Sequence, residues 1–233
     1  MVASVKLSAP LTWPSDVEEA EAAQETLRAR LDLDGPGPRH PSTIAGVDVA
    51  YAGDRLAAAV VVLDGATLQV IEQVAVPGRP AFAYVPGLLA FRELPSLVEA
   101  LERLRTTPEL IVCDGYGVAH PRRFGLACHL GVLTDLPTIG VGKTAFVGAF
   151  AEPGPSRGSS SDLVLDGEVV GRVLRTRDGV KPVFVSSGHR VDLGTACGNV
   201  LALTPRHRLP ETTRAADRLS REALASGQEV RFP

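Results

Sequence analysis

The stretch TIAGVDVAYAGDRLAAAVVVLDGATLQVIEQVAV, residues 43–76, decides the fold class of this chain. It contains three apolar segments, at 43–51, 56–64 and 68–76, which are predicted to be β-strands. The connections AGDR and GAT are too short to contain a helix, so the three strands are predicted to pair as an antiparallel meander. A Rossmann or flavodoxin-like sheet is disfavoured, because it needs a helix between its first two strands.

Segments downstream of the meander alternate between helix and strand. The pattern predicts a helix at 87–105 that Pro95 kinks or interrupts, then a strand at 109–114 and a short helix at 122–134. The remaining predicted elements are a strand and turn at 136–144, two strands at 162–175 and 181–186, and an amphipathic helix at 211–225. This order predicts an α/β domain of the ribonuclease H-like class, in which the three-strand antiparallel meander and added parallel strands form a mixed sheet flanked by helices.

Residues before the meander are predicted to form one helix and a connector. The segment SDVEEAEAAQETLRARLDL, residues 15–33, has a helical pattern with Ser15 as its N-cap, and a turn-rich segment follows it. The boundaries that we expect are those of one domain over 1–233, with an N-terminal helix and connector at 15–42 and a catalytic core at 43–225.

Composition limits the class of protein. The chain has 233 residues, of which 45% are hydrophobic and 22% charged, so a sizeable core is available. No apolar run approaches the roughly 20 residues that a membrane span needs, and the first ten residues lack the charged and apolar regions of a signal peptide. The three cysteines have no metal-site spacing. We expect a reduced, cytoplasmic, monomeric protein without a membrane segment.

Charge is distributed unevenly along the chain. The net charge of −3 does not by itself predict nucleic-acid binding. Residues 1–114, however, carry 9 basic and 16 acidic side chains, whereas residues 115–233 carry 15 basic and 11 acidic ones. This asymmetry is compatible with a basic face on an acidic protein, and chance scatter is the alternative.

Three carboxylates stand where an acid is unexpected. Asp48 interrupts an apolar strand, Asp114 ends another, and Glu93 lies on or beside the apolar stripe of the predicted helix at 87–105. An ionised carboxylate in such a place is costly unless it is paired or bound to a cation. Clustered carboxylate oxygens suit Mg²⁺ or Mn²⁺, so the sequence favours a metal site. The alternative is a set of separate buried salt bridges, with Arg92, Lys143 or Arg175.

Four longer motifs carry a resemblance to a known family. They are GVDVAY at 46–51, AYVPGLLAFRELP at 83–95, DGYGVAHPRRFGLACHLG at 114–131 and PTIGVGKT at 137–144. In this order they resemble the endonuclease V family of deoxyinosine 3′-endonucleases, over most of the chain. The resemblance implies a ribonuclease H-like fold and a Mg²⁺ cofactor, for which Mn²⁺ substitutes. It also implies hydrolysis of the second phosphodiester bond 3′ to a deaminated adenine, leaving 3′-hydroxyl and 5′-phosphate ends. Some members also cut inosine-containing RNA.

The same resemblance implies roles for the catalytic residues. Asp48 and Asp114 match the metal-binding aspartates, and Glu93 matches the catalytic glutamate, which is also a metal ligand. His120 and Lys143 match motif positions near the scissile strand. His120 could donate a proton or bind a phosphate, because imidazole titrates near neutral pH. The alternative is that it forms a hydrogen bond that fixes the loop. For Lys143, contact with the phosphate or with water stands against a plain surface position.

A fourth metal ligand is expected on the C-terminal helix. The position that is histidine in some members of the family aligns with Asp217, in TRAADRL. Aspartate is also a ligand for hard metals, so the departure keeps a ligand at this position. Glu211 and Asp192 are the competing candidates.

Residues outside the metal site are expected to contact DNA. Tyr84 matches the aromatic of a strand-separating wedge, which Pro86 stiffens and in which Ala83 replaces a frequent proline. Packing of the tyrosine on the helix start is the alternative. Arg122 and Arg123 are expected to neutralise DNA phosphates, and ordinary surface arginines are the alternative.

A pocket for an extruded base is expected beside the wedge. Its walls would be the glycine-rich segments containing Gly87, Leu89, Gly115 and Gly117, where glycine lets the backbone approach a base or phosphate. Hypoxanthine differs from adenine by an oxo group at C6 and a protonated N1, which backbone groups can read. Inosine-containing DNA is therefore the expected partner, with inosine-containing RNA as an alternative.

Two other functions keep the same fold. One is a non-catalytic nucleic-acid-binding module, which the three intact acids argue against. The other is a different metal nuclease of the ribonuclease H-like class, such as a junction resolvase or an RNA-hybrid nuclease. The AYVPG loop at 83–87, ahead of Glu93, favours endonuclease V over both.

Overall fold

The computed structural model describes residues 5–8 and 13–232. Within these ranges there are nine strands, which form one sheet, and five helices, of which the first packs against the third. The strands are β1 (Thr43–Ala52), β2 (Arg55–Asp64), β3 (Val70–Gly78), β4 (Leu110–Cys113), β5 (Thr138–Gly142), β6 (Ser160–Leu165), β7 (Glu168–Leu174), β8 (Val183–His189) and β9 (Val230–Phe232). The helices are α1 (Val17–Arg28), α2 (Leu89–Glu102), α3 (Leu126–Thr134), α4 (Leu193–Ala202) and α5 (Glu211–Ser226).

Two observations concern the ends and the exterior of the chain. Residues 1–4, 9 and 10, which belong to the segment that argued against a signal peptide, lie outside the described residues. None of the helices in the described part of the chain is long and apolar enough to cross a membrane.

The sheet has the predicted mixed topology. Its strand order is β6-β7-β8-β5-β4-β1-β2-β3-β9. The meander is confirmed, since β2 pairs antiparallel with both β1 and β3. The parallel strands are also confirmed, because β4 pairs in parallel with β1 on one side and with β5 on the other. The carboxyl ends of β1, β4 and β5 therefore point the same way, which places the residues that follow them at one edge of the sheet.

Each face of the sheet packs against helices. On β4, Ile111 and Cys113 face the core formed with α2 and α3, whereas Leu110 and Val112 face the core formed with α4. Helix α5 packs against β2 and β3 on the second face, over small side chains such as Ala57 and Ala59. Because β4 is apolar on both faces, it reads as one continuous apolar run that ends where the acid Asp114 begins.

The first helix is shorter than predicted. Its N-cap is Asp16, which accepts a hydrogen bond from the backbone N–H of Glu19 at 2.9 Å, so the assignment of Ser15 as the N-cap was wrong. Ser15 instead donates to the Glu19 carboxylate. The helix ends at Arg28 rather than at residue 33, because Asp32 bonds to the end of β8, where its carbonyl accepts from the Arg190 N–H at 2.7 Å.

Other predicted boundaries also change. The strand predicted at 162–175 is a hairpin of β6 and β7, which turns at Asp166 and Gly167 with φ values of 55° and 83°. Asp-Gly is a strong signal for such a tight turn. The helix predicted from residue 122 begins at Leu126, because Arg123 has a non-helical φ of 55°. Helix α2 continues past Pro95 instead of breaking there.

Candidate active site

Asp48 and Asp114 are neighbours because of the register of two parallel strands. Val47 of β1 pairs with Cys113 of β4, and each acid is the next residue along its chain. Both carboxylates consequently lie at the carboxyl end of β4, where the sheet opens to the outside. The charge of Asp114 contributes to raising the pKa of Asp48, which places the two acids within electrostatic range of each other.

Asp48 projects toward helix α5. Its Oδ2 accepts a hydrogen bond of 2.8 Å from the hydroxyl of Ser220. Burial raises the pKa of Asp48 to about 6; the Ser220 bond opposes this, and the charges of Asp114 and Asp217 add to it. The carboxylate is therefore protonated more readily than an ordinary aspartate, and a further positive charge beside it would favour its ionised form.

Glu93 reaches the same edge from helix α2, on the other face of the sheet. It is only 8% exposed, and its Oε1 accepts a hydrogen bond of 3.0 Å from the Tyr51 hydroxyl. Burial raises the pKa of Glu93 to about 8; the Tyr51 bond opposes the shift, and the charges of Asp48 and Asp114 increase it. Three acids that repel one another thus lie within electrostatic range at one edge of the sheet.

One of the acids forms a salt bridge, but the pair is partly exposed and not buried as the alternative expected. Lys143, which follows β5, places Nζ 2.5 Å from Oδ2 of Asp114. Burial opposes the charged ammonium, but the hydrogen bond and charge of Asp114, with the charges of Asp48 and Asp217, raise the pKa of Lys143. Of the other two basic side chains considered, Arg92 donates to the carbonyl of Phe82 and Arg175 pairs with Glu152.

Asp217 is the C-terminal acid that acts on the cluster. Its charge raises the pKa values of Asp48 and Lys143, and its carboxylate pairs with Arg221 at 2.9 Å. The two competitors are engaged elsewhere. Asp192 caps α4 by accepting from the N–H of Thr195, and Glu211 lies beside His207 and Arg214.

The donor set fits a hard divalent cation. It consists of carboxylate oxygens, and two of these acids have raised pKa values that a nearby cation would lower. The groups do not form a ready coordination shell, since no three His, Cys, Asp or Glu side chains of residues 5–8 and 13–232 already converge on one point. The fit is therefore one of charge and ligand chemistry, and the positive groups beside these acids are Lys143 at Asp114 and Arg221 at Asp217.

A cavity of about 360 Å³ opens beside the acids. Asp114 and Lys143 lie in its wall. Five of the residues expected to contact DNA line the same cavity: Tyr84, Pro86, Gly87, Leu89 and Gly115. Tyr84 is 68% exposed, so it does not pack on the helix start as the alternative proposed. The wedge loop and Asp114 thus line one cavity.

Three other residues expected to contact DNA do not line this cavity. A Cβ on Gly117 would lie 1.9 Å from the carbonyl oxygen of Ser187, so glycine is needed here for packing against β8. Arg122 pairs with Glu21, and Arg123 pairs with Glu168. Both guanidinium groups already pair with a carboxylate. They would have to exchange this partner to contact DNA phosphates, and such contact stays a prediction.

His120 is a buried residue of the cavity wall. It is 4% exposed, and burial lowers its pKa to about 4, against a hydrogen bond with the Gly87 backbone that raises it. Its Nδ1 accepts from the backbone N–H of Arg122 at 3.2 Å. A buried imidazole with a lowered pKa, which accepts a backbone N–H through Nδ1, favours the loop-fixing interpretation over proton donation.

Several residues of the site lacked a clear signal in the sequence. Tyr116 and Phe146 stack with ring centroids 5.2 Å apart and line the cavity. Tyr116 lies inside the motif at 114–131, where its aromatic ring was the available signal. Tyr51 and Ser220 hold Glu93 and Asp48 from a strand and from a distant helix. Such partners depend on tertiary contacts, which local sequence patterns do not report.

Comparisons with known proteins agree with this arrangement. The family model described as Endonuclease V matches residues 25–218. An Endonuclease V from Nocardia farcinica is 63% identical over 217 residues, which cover 92% of this chain and 96% of the relative.

Solved structures extend the comparison to the fold. The crystal structure of the Endonuclease V from Streptomyces avermitilis is 56% identical, has a TM-score of 0.90 and covers 97% of this chain and 99% of its own. The Ciona intestinalis Endonuclease V, in complex with a 24mer DNA containing an inosine followed by a ribo-adenosine, is 26% identical with a TM-score of 0.79, covering 91% and 98%. The predicted ribonuclease H-like fold is confirmed by these neighbours. The chain belongs to the endonuclease V family, whose members are nucleases that hydrolyse phosphodiester bonds.

Proposed function

We propose that this protein is a DNA repair endonuclease that recognises deoxyinosine and hydrolyses the second phosphodiester bond on its 3′ side. The products would carry 3′-hydroxyl and 5′-phosphate ends. The observation that carries the proposal is the shared cavity, whose wall includes both the wedge residue Tyr84 and the reactive pair Asp114 and Lys143. A base held in that cavity keeps the nucleic-acid strand to which it belongs beside the acids.

Mg²⁺ is the proposed cofactor, with Mn²⁺ as a substitute. The family is metal-dependent, and Asp48, Glu93, Asp114 and Asp217 would hold the ion. When bound, such an ion activates water and stabilises charge on the leaving 3′-oxygen. The elevated pKa values of Asp48 and Glu93, which are caused mainly by burial, support a site built to receive positive charge.

The side chains of this chain supply the remaining chemistry. The Tyr51 hydroxyl fixes Oε1 of Glu93, which leaves the other carboxylate oxygen of Glu93 to accept a proton from an attacking water. The Lys143 ammonium, half-exposed beside Asp114, can donate to a phosphate oxygen. His120, neutral and buried, maintains the Gly87 turn instead of moving a proton.

Selection of the base would take place in the cavity. Extrusion of the nucleotide from the stack costs a few kcal/mol, and stacking on an exposed aromatic such as Tyr84 is worth roughly 1–3 kcal/mol. Gly87 and Gly115 leave backbone groups accessible to the hypoxanthine edge, and Tyr116 and Phe146 offer ring surface. The inosine-containing DNA bound by the Ciona intestinalis relative supports this choice of substrate.

One cleavage assay tests the function against its alternatives. The protein is incubated with Mg²⁺ or Mn²⁺ and end-labelled substrates: inosine duplex DNA, inosine RNA, a four-way junction and an RNA–DNA hybrid. We expect cleavage of the inosine duplex one nucleotide beyond the lesion. Faster cleavage of inosine RNA would instead identify an endoribonuclease. Cleavage of the junction or hybrid without inosine, or binding without cleavage, would contradict the proposal.

A further inference from the structure

Gln24 of helix α1 is a buried polar residue in the cavity wall. It is 1% exposed, and its side chain lines the cavity described above. Its Nε2 donates to the carbonyl oxygen of Gly87 at 2.9 Å and to that of Phe124 at 3.2 Å. One amide thus joins two segments that are far apart in the chain.

The orientation of this amide is fixed by its partners. Both acceptors are backbone carbonyls, so the reversed amide would place oxygen against two oxygens. In this orientation Oε1 is buried and has no hydrogen-bond partner within residues 5–8 and 13–232. A position that served packing alone would avoid such an unsatisfied acceptor by carrying an apolar side chain.

The two segments that Gln24 joins both contribute to the wall of the cavity. Gly87, with a φ of 85°, ends the wedge loop, and Phe124 precedes Gly125, which also lines the cavity. One turn earlier on α1, Glu21 pairs with Arg122, which lies two residues before Phe124. Helix α1 therefore contacts both segments, although the part of the chain that matches the family model begins only at residue 25.

We propose that Gln24 is a positioning residue for selection of the lesion base. It holds the Gly87 turn at a fixed separation from the segment at Phe124, so that the backbone groups of the cavity meet the polar edge of hypoxanthine. This role rests on the proposed function, because it presupposes that the cavity receives the inosine base. The role predicts that loss of the two hydrogen bonds weakens discrimination between inosine and adenosine, whereas the rate of the cleavage step at the acids is little affected.

Gln24→Met tests the role, because methionine has a similar length and no amide. Binding is measured in Ca²⁺ with two single-stranded oligonucleotides that differ only in inosine or adenosine at one position. We expect the ratio of the two affinities to fall about tenfold, as the loss of two buried hydrogen bonds suggests. The single-turnover cleavage rate at saturating inosine substrate in Mg²⁺ should stay within about twofold, as expected when only substrate binding is affected.

Leu27→Ala is the matched control on the same helix. Leu27 packs against the apolar cluster of Phe124, Cys128 and Val132, so its truncation loosens α1 while leaving the Gln24 amide in place. We expect a lower melting temperature and an unchanged affinity ratio. If Gln24→Met lowers the melting temperature in the same way and keeps the ratio, Gln24 is merely structural and the inference fails. A wild-type protein without any preference for inosine would overturn the proposed function itself.

Discussion

Tyr51 and Glu93 form a hydrogen bond of 3.0 Å that links the end of β1 to helix α2. Tyr51 donates its hydroxyl to Oε1, and the guanidinium of Arg92 lies over the tyrosine ring, 4.9 Å from its centroid. The acid proposed to act on water is therefore oriented by a residue that belongs to the same strand as Asp48.

The Tyr51→Phe variant should distinguish the orientation of Glu93 by Tyr51 from the binding of the metal ion by Glu93. The variant keeps the ring under Arg92 and removes the one hydroxyl that fixes Glu93. We expect the single-turnover cleavage rate to fall about tenfold, with little change in substrate affinity, because a positioned catalytic group typically contributes 10²–10⁴-fold and is only partly lost here. An unchanged rate would show that the cofactor alone orients Glu93.

Metal-free stability should depend on pH through Glu93. Its pKa is about 8 in the folded protein against 4.5 in the unfolded chain, so between these values the folded state binds the extra proton. Raising the pH through this interval therefore lowers the free energy of unfolding. Below pH 4.5 both states are protonated and this effect is absent.

The corresponding experiment is denaturant unfolding of wild type and Glu93→Gln in EDTA. Glutamine stays neutral, so the variant should lose less stability between pH 5 and pH 8.5 than the wild type, with a residual slope from Asp48, whose pKa is about 6. Equal slopes in the two proteins would mean that Glu93 is already ionised in the metal-free fold.

Asp217→Ala tests the fourth acid. If Asp217 holds the cofactor, its removal should raise the Mg²⁺ concentration for half-maximal cleavage about tenfold or more, as loss of a ligand or its partner commonly does. Arg221→Ala is a suitable control, because it removes the ion-pair partner of Asp217 and leaves the carboxylate. A normal Mg²⁺ titration for Asp217→Ala, with a shifted one for Glu211→Ala or Asp192→Ala, would reassign the ligand.

Tyr84→Ala tests the wedge. Since Tyr84 is 68% exposed, its truncation should leave the melting temperature nearly unchanged. We expect a larger loss of binding and cleavage on inosine duplexes than on inosine single strands, where little unstacking is required. Both substrates are compared under single-turnover conditions at one salt concentration. Equal losses on both, together with a lower melting temperature, would favour packing over separation of strands.

The sequence predicted the parts of this molecule that depend on local pattern. The short connections between the first three strands predicted the meander. The apolar run that ends at Asp114 predicted a strand, which pairs with β1. The acids Asp48 and Glu93 were recognisable because each interrupts an apolar pattern. These signals were sufficient to predict that the three carboxylates lie within electrostatic range of one another, but they did not predict their separation in the metal-free fold.

Features that depend on distant contacts were missed or misjudged. The early end of α1 results from hydrogen bonds of Asp32 with the end of β8, more than 150 residues away. Helix α4 went unpredicted, and Asp192, which the sequence left as a candidate metal ligand, is the N-cap of that helix. Ser220 had no local signal, since its role arises only when α5 packs over Asp48.

Cleavage of an inosine duplex by Asp48→Asn and Asp114→Asn tests the central claim most directly. Each substitution removes one negative charge from the pair at the end of β4 while preserving side-chain size. Single-turnover cleavage is followed in Mg²⁺, and binding of the same duplex is measured in Ca²⁺. The account predicts that the wild type cuts at the second phosphodiester bond 3′ to inosine, and that both variants bind the duplex without cutting it. Cleavage by either variant at the rate of the wild-type protein would contradict the assignment of these two aspartates to the active site.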